Sequence, residues 1–228
     1  MFGLDDRIAA FSSGTTLLIV AAVSVLLGLR HASDPDHLAA VTTMIASGRE
    51  RATRRAAKLG FTWGLGHATS LFVFGLPVVL YSAYLPEPVQ HAAETSVGFV
   101  IVVLGLLLLV RWRRGMYGFT THAHGARTRN TWQAYCIGLV HGLGGTAGVG
   151  LLLLATIQSR LLAVGALVIF ALCTALSMTL LSTGFGIVLS SAPARRSFHR
   201  LAPGLGAASL AFGVWYALGA QGIVPYVL

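Results

Sequence analysis

The sequence is short of charged residues and of cysteine. Only 10% of its 228 residues are charged, whereas soluble domains carry about 25%, and its mean hydropathy is +0.76. This composition predicts an integral membrane protein. Its two cysteines, Cys136 and Cys173, lie in apolar segments and form no CxxC pair, which leaves a redox dithiol or a thiolate zinc site without support.

Acidic residues are scarcer still, with seven Asp and Glu against 16 Lys and Arg, for a net charge of +9. A basic balance can indicate nucleic-acid binding. Here, however, the cations lie in the gaps between apolar segments, where the positive-inside rule places them. We therefore predict membrane lipid as a partner and no nucleic acid. No Walker A motif is present, so any ATP hydrolysis would have to come from a partner subunit.

Six apolar segments divide the chain and predict an all-α, polytopic membrane protein with about six transmembrane helices in a single domain, residues 1–228. A spanning helix needs about 20 residues. The first segment is much longer, and Pro35 is expected to break it because proline lacks a backbone donor. The approximate ranges are 15–47, 59–84, 96–111, 132–157, 161–190 and 201–220.

The basic residues are distributed unequally between the two sides of the predicted bundle. One side carries only Arg7 and Arg160, whereas its opposite carries three basic loops. The positive-inside rule places those three loops in the cytoplasm and both termini outside. The cytoplasmic cations are Arg49, Arg51, Arg54, Arg55, Lys58, Arg111, Arg113, Arg114, Arg127, Arg129, Arg195, Arg196 and Arg200.

A short pattern, G-L-x-H, occurs three times, at 28–31, 64–67 and 138–141. The first and third copies begin at comparable places in segments one and four, which would open two three-helix halves of opposite direction. That arrangement is typical of a 3+3 inverted repeat, which places a binding site near the midplane. Chance matches are easy in a chain rich in Gly and Leu, so the absence of a repeat stays open as the alternative.

The stretch GLRHASDPDH, residues 28–37, places ionisable groups inside the first apolar segment. Each such group costs about 2.5–3.5 kcal/mol on insertion. A bound transition-metal ion offsets that cost, since imidazole and carboxylate ligands suit ions such as Ni²⁺ and Co²⁺. His31 and Asp34 share one helix face, and a break at Pro35 would redirect the next residues to the same point. An interfacial loop with solvated side chains is the alternative.

Two further histidines, His67 and His141, lie in apolar surroundings beside glycines that allow close helix packing. A single membrane histidine is often only an interhelical hydrogen-bond partner. Four histidines and two aspartates on three segments instead favour one shared site, whose ligands must be deprotonated to bind metal. The predicted metal ligands are His31, Asp34, Asp36, His37, His67 and His141.

The stretch RHASDPDHLAAV, with His31, Asp36 and His37 in an H-x4-D-H pattern, resembles the signature of the nickel/cobalt transporter family, NicO or NiCoT. GLGHATS, around His67, is similar to that family's L-G-H-S-[ST] motif. The later G-F-D-T-A-T-E motif of the family is replaced by HGLGGTAGVG at 141–150. That shorter form is more similar to the compact UreH-like branch.

This resemblance implies a permease in the plasma membrane of a prokaryote, with Ni²⁺ or Co²⁺ as its transported substrate and no cofactor. The UreH-like branch implies uptake that supplies nickel to urease, with efflux as the alternative direction. Members of the classical branch have about eight spans. A chain without the first of them would begin outside, in agreement with the distribution of Lys and Arg.

Two other function classes stay open on the residues alone. An intramembrane metal-dependent hydrolase would need an open coordination position and a general base. HExxH is absent, however, and no intramembrane carboxylate is left over after Asp34 and Asp36. A haem protein could use His67 and His141 as axial ligands, although the aspartates would then have no role.

The remaining histidines and the tryptophans receive no chemical role. His122 and His124 in the cytoplasmic loop are expected to be solvated. Trp63, Trp112, Trp132 and Trp215 lie near segment ends and are expected to be interfacial anchors.

Overall fold

The computed structural model describes residues 4–46, 53–81, 86–115, 130–142, 144, 151 and 154–225, with no account of the side chains of 4–16, 46, 53 and 192–196. Over these ranges the chain is helical and contains no strand, so the predicted all-α class is confirmed. Seven helices have described bounds: α1 Leu4–His31, α2 Pro35–Ala46, α3 Thr53–Tyr81, α4 Glu87–Arg113, α5 Thr131–His141, α6 Arg160–Ser190 and α7 Ala192–Ala220.

Helices α3, α4, α6 and α7 are long and apolar enough to cross a membrane, and α1 with α2 gives a fifth span if the bent pair is counted as one. The predicted polytopic membrane protein is therefore confirmed. The predicted fourth span, 132–157, lies partly outside the described residues and contributes α5, which has 11 residues. A total of six spans accordingly stays a prediction.

The predicted break in the first span is confirmed at Pro35. Helix α1 ends at His31, α2 begins at Pro35, and the two are bent by 53°. Proline is favourable at the first position of a helix, because the N–H that it lacks would have no partner there. The carbonyl of Asp34 accepts the first hydrogen bond of α2, from Leu38 N at 3.0 Å. The break thus redirects the chain in the middle of an apolar segment.

Helix α4 begins earlier than predicted, at Glu87 instead of residue 96. The hydropathy boundary was wrong because the polar run before residue 96 continues the helix. Pro88 occupies the first turn, where proline is tolerated, and the carboxylate of Glu87 favours a helix N-terminus. This extension brings Glu94, which is buried, into the span.

Close approaches between backbones hold the helices together. Helix α3 packs on α5 and α6, α4 on α7, and α1 on α6. A Cβ atom at Gly98 of α4 would lie 2.8 Å from the Ala217 Cβ on α7. Between α3 and α5, the Ser70 hydroxyl donates a hydrogen bond to the Leu139 carbonyl at 2.7 Å. Inside a membrane the hydrophobic effect does not drive helices together, so small residues and interhelical hydrogen bonds stabilise helix pairs there.

Candidate metal centre

Four helix segments bring ionisable side chains to one buried place. His31 is the last residue of α1, Asp36 and His37 lie in the first turn of α2, His67 lies within α3, and His141 is the last residue of α5. His37, His67 and His141 are fully buried, and His31 and Asp36 are 4% and 1% exposed. The structure thus brings together five of the six predicted ligands, here called the five-residue cluster.

The recurring G-L-x-H pattern has a packing explanation at this site. In each copy the glycine lies three residues before the histidine, on the same side of its helix. A Cβ atom at Gly28 or Gly64 would lie 2.8 Å from a carbonyl oxygen of α6, and one at Gly138 would overlap a carbonyl of α3. The glycine therefore lets its helix approach a neighbour closely while the histidine enters the cluster. The 3+3 inverted repeat itself stays a prediction.

The first group within the cluster contains His31, His37 and His67. Each offers a ring nitrogen within 4.8 Å of the others, and the ring centroids are 4.7 to 5.1 Å apart. The Nε2 atoms of His31 and His67 are separated by 3.0 Å. Metal–nitrogen bonds of about 2.0–2.1 Å place two ligands at right angles about 2.9 Å apart. The two rings share a hydrogen bond at this distance, and the same spacing suits two neighbouring ligands of one transition-metal ion.

The second group contains Asp36, His37 and His141, again with one ligand atom from each within 4.8 Å. The His37 and His141 ring centroids are 4.9 Å apart, and His141 Nε2 lies 3.5 Å from Asp36 Oδ2. His37 belongs to both groups. The five side chains accordingly form one continuous set with nitrogen donors on one side and mixed nitrogen and oxygen donors on the other.

Two carboxylates lie behind histidines of the cluster. Asp36 Oδ1 is 3.1 Å from His37 Nδ1, and Asp34 Oδ2 is 3.1 Å from His31 Nδ1. A carboxylate that accepts the Nδ1–H of a histidine fixes the tautomer whose Nε2 is free to bind metal. Of the predicted ligands, Asp34 is the one that belongs to neither group, and its contact with His31 fits an orienting role.

Buried polar atoms without a hydrogen bond concentrate at the cluster. Within the described part of the chain they include Asp36 Oδ2, His37 Nε2, His67 Nδ1 and both ring nitrogens of His141. Leaving one such atom unsatisfied costs about 1–3 kcal/mol. A divalent cation bound through Asp36 Oδ2, His37 Nε2 and one ring nitrogen of His141 would remove that cost at these three atoms, and their imidazole and carboxylate chemistry suits nickel and cobalt.

Aromatic rings enclose the cluster, and one of them corrects the sequence analysis. The Trp63 ring lies 5.7 Å from that of His37 and 5.8 Å from that of His141, and Phe170 lies 5.8 Å from His31. Trp63 is 1% exposed, so its expected role as an interfacial anchor is wrong. Its spacing of four residues from His67 would have placed both on one helix face.

The expected solvated histidines His122 and His124 lie outside the described residues.

The NicO family, described as high-affinity nickel-transport protein, matches residues 17–130, which is half of the chain. The chain belongs to the NicO family. The matched range includes His31, Asp36, His37 and His67, whereas His141 lies beyond it. The resemblance seen in the H-x4-D-H pattern is thereby confirmed.

Two curated relatives agree with this membership. This NicO chain is 26% identical over 209 residues to the urease accessory protein UreH of Bacillus sp. (strain TB-90), which covers 88% of the chain and 91% of the relative. It is 32% identical over 158 residues to the cobalt transport protein NhlF of Rhodococcus rhodochrous, which covers 54% of the chain and 44% of that relative. No solved structure matches the chain.

Membership in NicO makes the chain a membrane transporter of a nickel or cobalt ion and not an enzyme. The predicted function class is confirmed at that level. The metalloenzyme and haem alternatives lose their support, because the family is one of nickel transport.

Proposed function

We propose that this protein is a permease for Ni²⁺, with Co²⁺ as a second substrate, and that it works in the direction of uptake. We place it in the plasma membrane of a prokaryote with both termini outside, on the distribution of Lys and Arg. The observation that carries the proposal is the five-residue cluster, whose ligand atoms converge inside the bundle.

In this proposal the cluster replaces the hydration shell of the ion. His31, His37 and His67 supply nitrogen ligands, and Asp36 with His141 supplies a second, adjoining set. Because His37 belongs to both sets, the ion can exchange its other ligands without leaving His37. Such a stepwise exchange avoids releasing a bare cation into a low-dielectric interior, where charges are costly.

We further propose that the imported nickel supplies urease. The support is the similarity to a urease accessory protein over nearly the whole chain. This chain has HGLGGTAGVG, with His141 at its start, in place of the later motif of the classical members, and this shorter form is similar to the UreH-like branch.

Uptake of Ni²⁺ and Co²⁺ at trace concentration into cells that express the protein tests this function. His37→Ala removes the histidine common to both groups, and His91→Ala, on the exposed part of α4, is the matched control. We expect accumulation with the wild type and with His91→Ala, and none above the empty vector with His37→Ala. If cells with the wild-type protein hold less metal than empty-vector cells, the protein exports the ion and the proposed direction is wrong. If the cellular content of neither metal changes, the proposal is refuted.

A further inference from the structure

Glu94 is a buried carboxylate outside the five-residue cluster. It lies two turns into α4, about 10 Å along the helix from Glu87, and is 6% exposed. The other buried residues of α4 are apolar or glycine: Ala93, Val97, Gly98, Ile101, Leu104, Gly105 and Leu108. Ionisable side chains within spanning helices commonly mark an ion pathway.

The described contact of the Glu94 carboxylate is with a neutral side chain. The Gln90 amide donates a hydrogen bond to Glu94 Oε1 at 3.2 Å. Among the described residues, no lysine or arginine forms an ion pair with this carboxylate. This neutral amide orients the carboxylate and adds no positive charge beside it.

Helices α2 and α4 contact each other directly. Ala39 packs against the buried cluster that contains Val97. Further along both helices, Met44 and Leu104 share another buried cluster. Two buried clusters therefore join α2 to α4.

The chain segment that follows α5 packs against α4 beside Glu94. Gly144, three residues after His141, packs on α4 at this position, since a Cβ there would lie 2.8 Å from Glu94 N. Three residues of chain thus separate His141 of the cluster from the contact with the Glu94 backbone.

We propose that Glu94 is a second cation-binding station, which passes the divalent ion between the Asp36–His141 side of the cluster and the membrane face where α4 begins. This inference rests on the proposed transport function. The carboxylate would hold the ion while it keeps part of its hydration, and Gln90 would orient the receiving oxygen. Imidazole ligands of the cluster would then replace the remaining water.

The test compares Glu94→Gln with Glu87→Gln, the same substitution at an exposed position of the same helix. Initial rates of Ni²⁺ uptake are measured against metal concentration at matched membrane levels. Equilibrium Ni²⁺ binding is measured on the purified proteins. We expect Glu94→Gln to reduce uptake at low Ni²⁺ by about tenfold, the scale of losing an outer partner of a metal site, while the equilibrium Kd stays near wild type. Glu87→Gln should match the wild type in both.

Uptake by Glu94→Gln at the wild-type rate would overturn the inference. An equal loss of uptake and of equilibrium binding would also overturn it, because Glu94 would then be a ligand of the cluster. If Glu94→Gln does not reach the membrane, Glu94→Asp keeps the charge but shortens the side chain. Its KM for uptake should rise, and an unchanged KM would overturn the inference. Failure of the proposed function would instead appear as absent wild-type uptake or as normal uptake by His37→Ala.

Discussion

At the scale of single residues, the site combines histidines that face one another with carboxylates that lie behind them. Asp36 contacts His37 and Asp34 contacts His31, each at 3.1 Å from Nδ1. Asp36 also offers its second oxygen to the cluster, whereas Asp34 belongs to neither group of converging ligand atoms. We therefore expect the two aspartates of the D-x-D pattern to have different roles, with Asp36 as a ligand of the ion and Asp34 as the residue that orients His31.

The orienting role of Asp34 can be separated from a ligand role by conservative substitution. In Asp34→Asn, the amide oxygen still accepts the His31 Nδ1–H, so Ni²⁺ affinity should remain close to wild type. In Asp34→Ala that acceptor is lost, and affinity should fall by about 10–100-fold. Isothermal titration of Ni²⁺ into purified protein measures both. Equal losses in the two variants would identify Asp34 as a direct ligand instead.

Trp63 should report on occupancy of the cluster. Its ring lies within 6 Å of the rings of His37 and His141, so a paramagnetic ion bound there should quench its fluorescence. Ni²⁺ titration should therefore quench wild-type emission and that of Trp132→Phe, since Trp132 is exposed on α5. Trp63→Phe should lose most of the quenching. Unchanged quenching in Trp63→Phe would place the bound ion elsewhere.

At the scale of helices, the site depends on a break and on close packing. The bend between α1 and α2 presents His31 and His37 from two helix ends. The glycines of the G-L-x-H pattern then let α1, α3 and α5 approach their neighbours. An added methyl group would separate those helices and move a histidine, even though no ligand is changed.

Gly138→Ala and Gly165→Ala test this packing. A Cβ at Gly138 would overlap the Trp63 carbonyl, whereas a Cβ at Gly165 in α6 meets nothing within 4 Å. Overpacking costs about 1–3 kcal/mol, so Gly138→Ala should lower the thermal midpoint and the Ni²⁺ affinity. Gly165→Ala should keep or raise the midpoint, because alanine favours helix by about 1 kcal/mol over glycine. A Gly138→Ala protein with wild-type affinity would refute the packing explanation.

At the scale of the whole molecule, most of what the sequence could predict came from the polar stretch that interrupts the first apolar segment. A proline, two aspartates and two histidines in apolar surroundings predicted both the break and the shared site. The extent of α4 and the burial of Trp63 were missed, because hydropathy averages over a window and does not record which face of a helix packs inward. Glu94 was missed for the same reason, because its polar neighbours lower the local hydropathy and the predicted span therefore began after it.

The central claim is that Ni²⁺ binds the five-residue cluster, and X-ray absorption at the nickel edge tests it most directly. We predict one Ni²⁺ per chain with three or four imidazole ligands, and a spectrum with fewer imidazoles in His67→Ala. The His91→Ala control should reproduce the wild-type spectrum. Nickel coordinated by oxygen alone, or a spectrum that is the same in wild type and His67→Ala, would contradict the account.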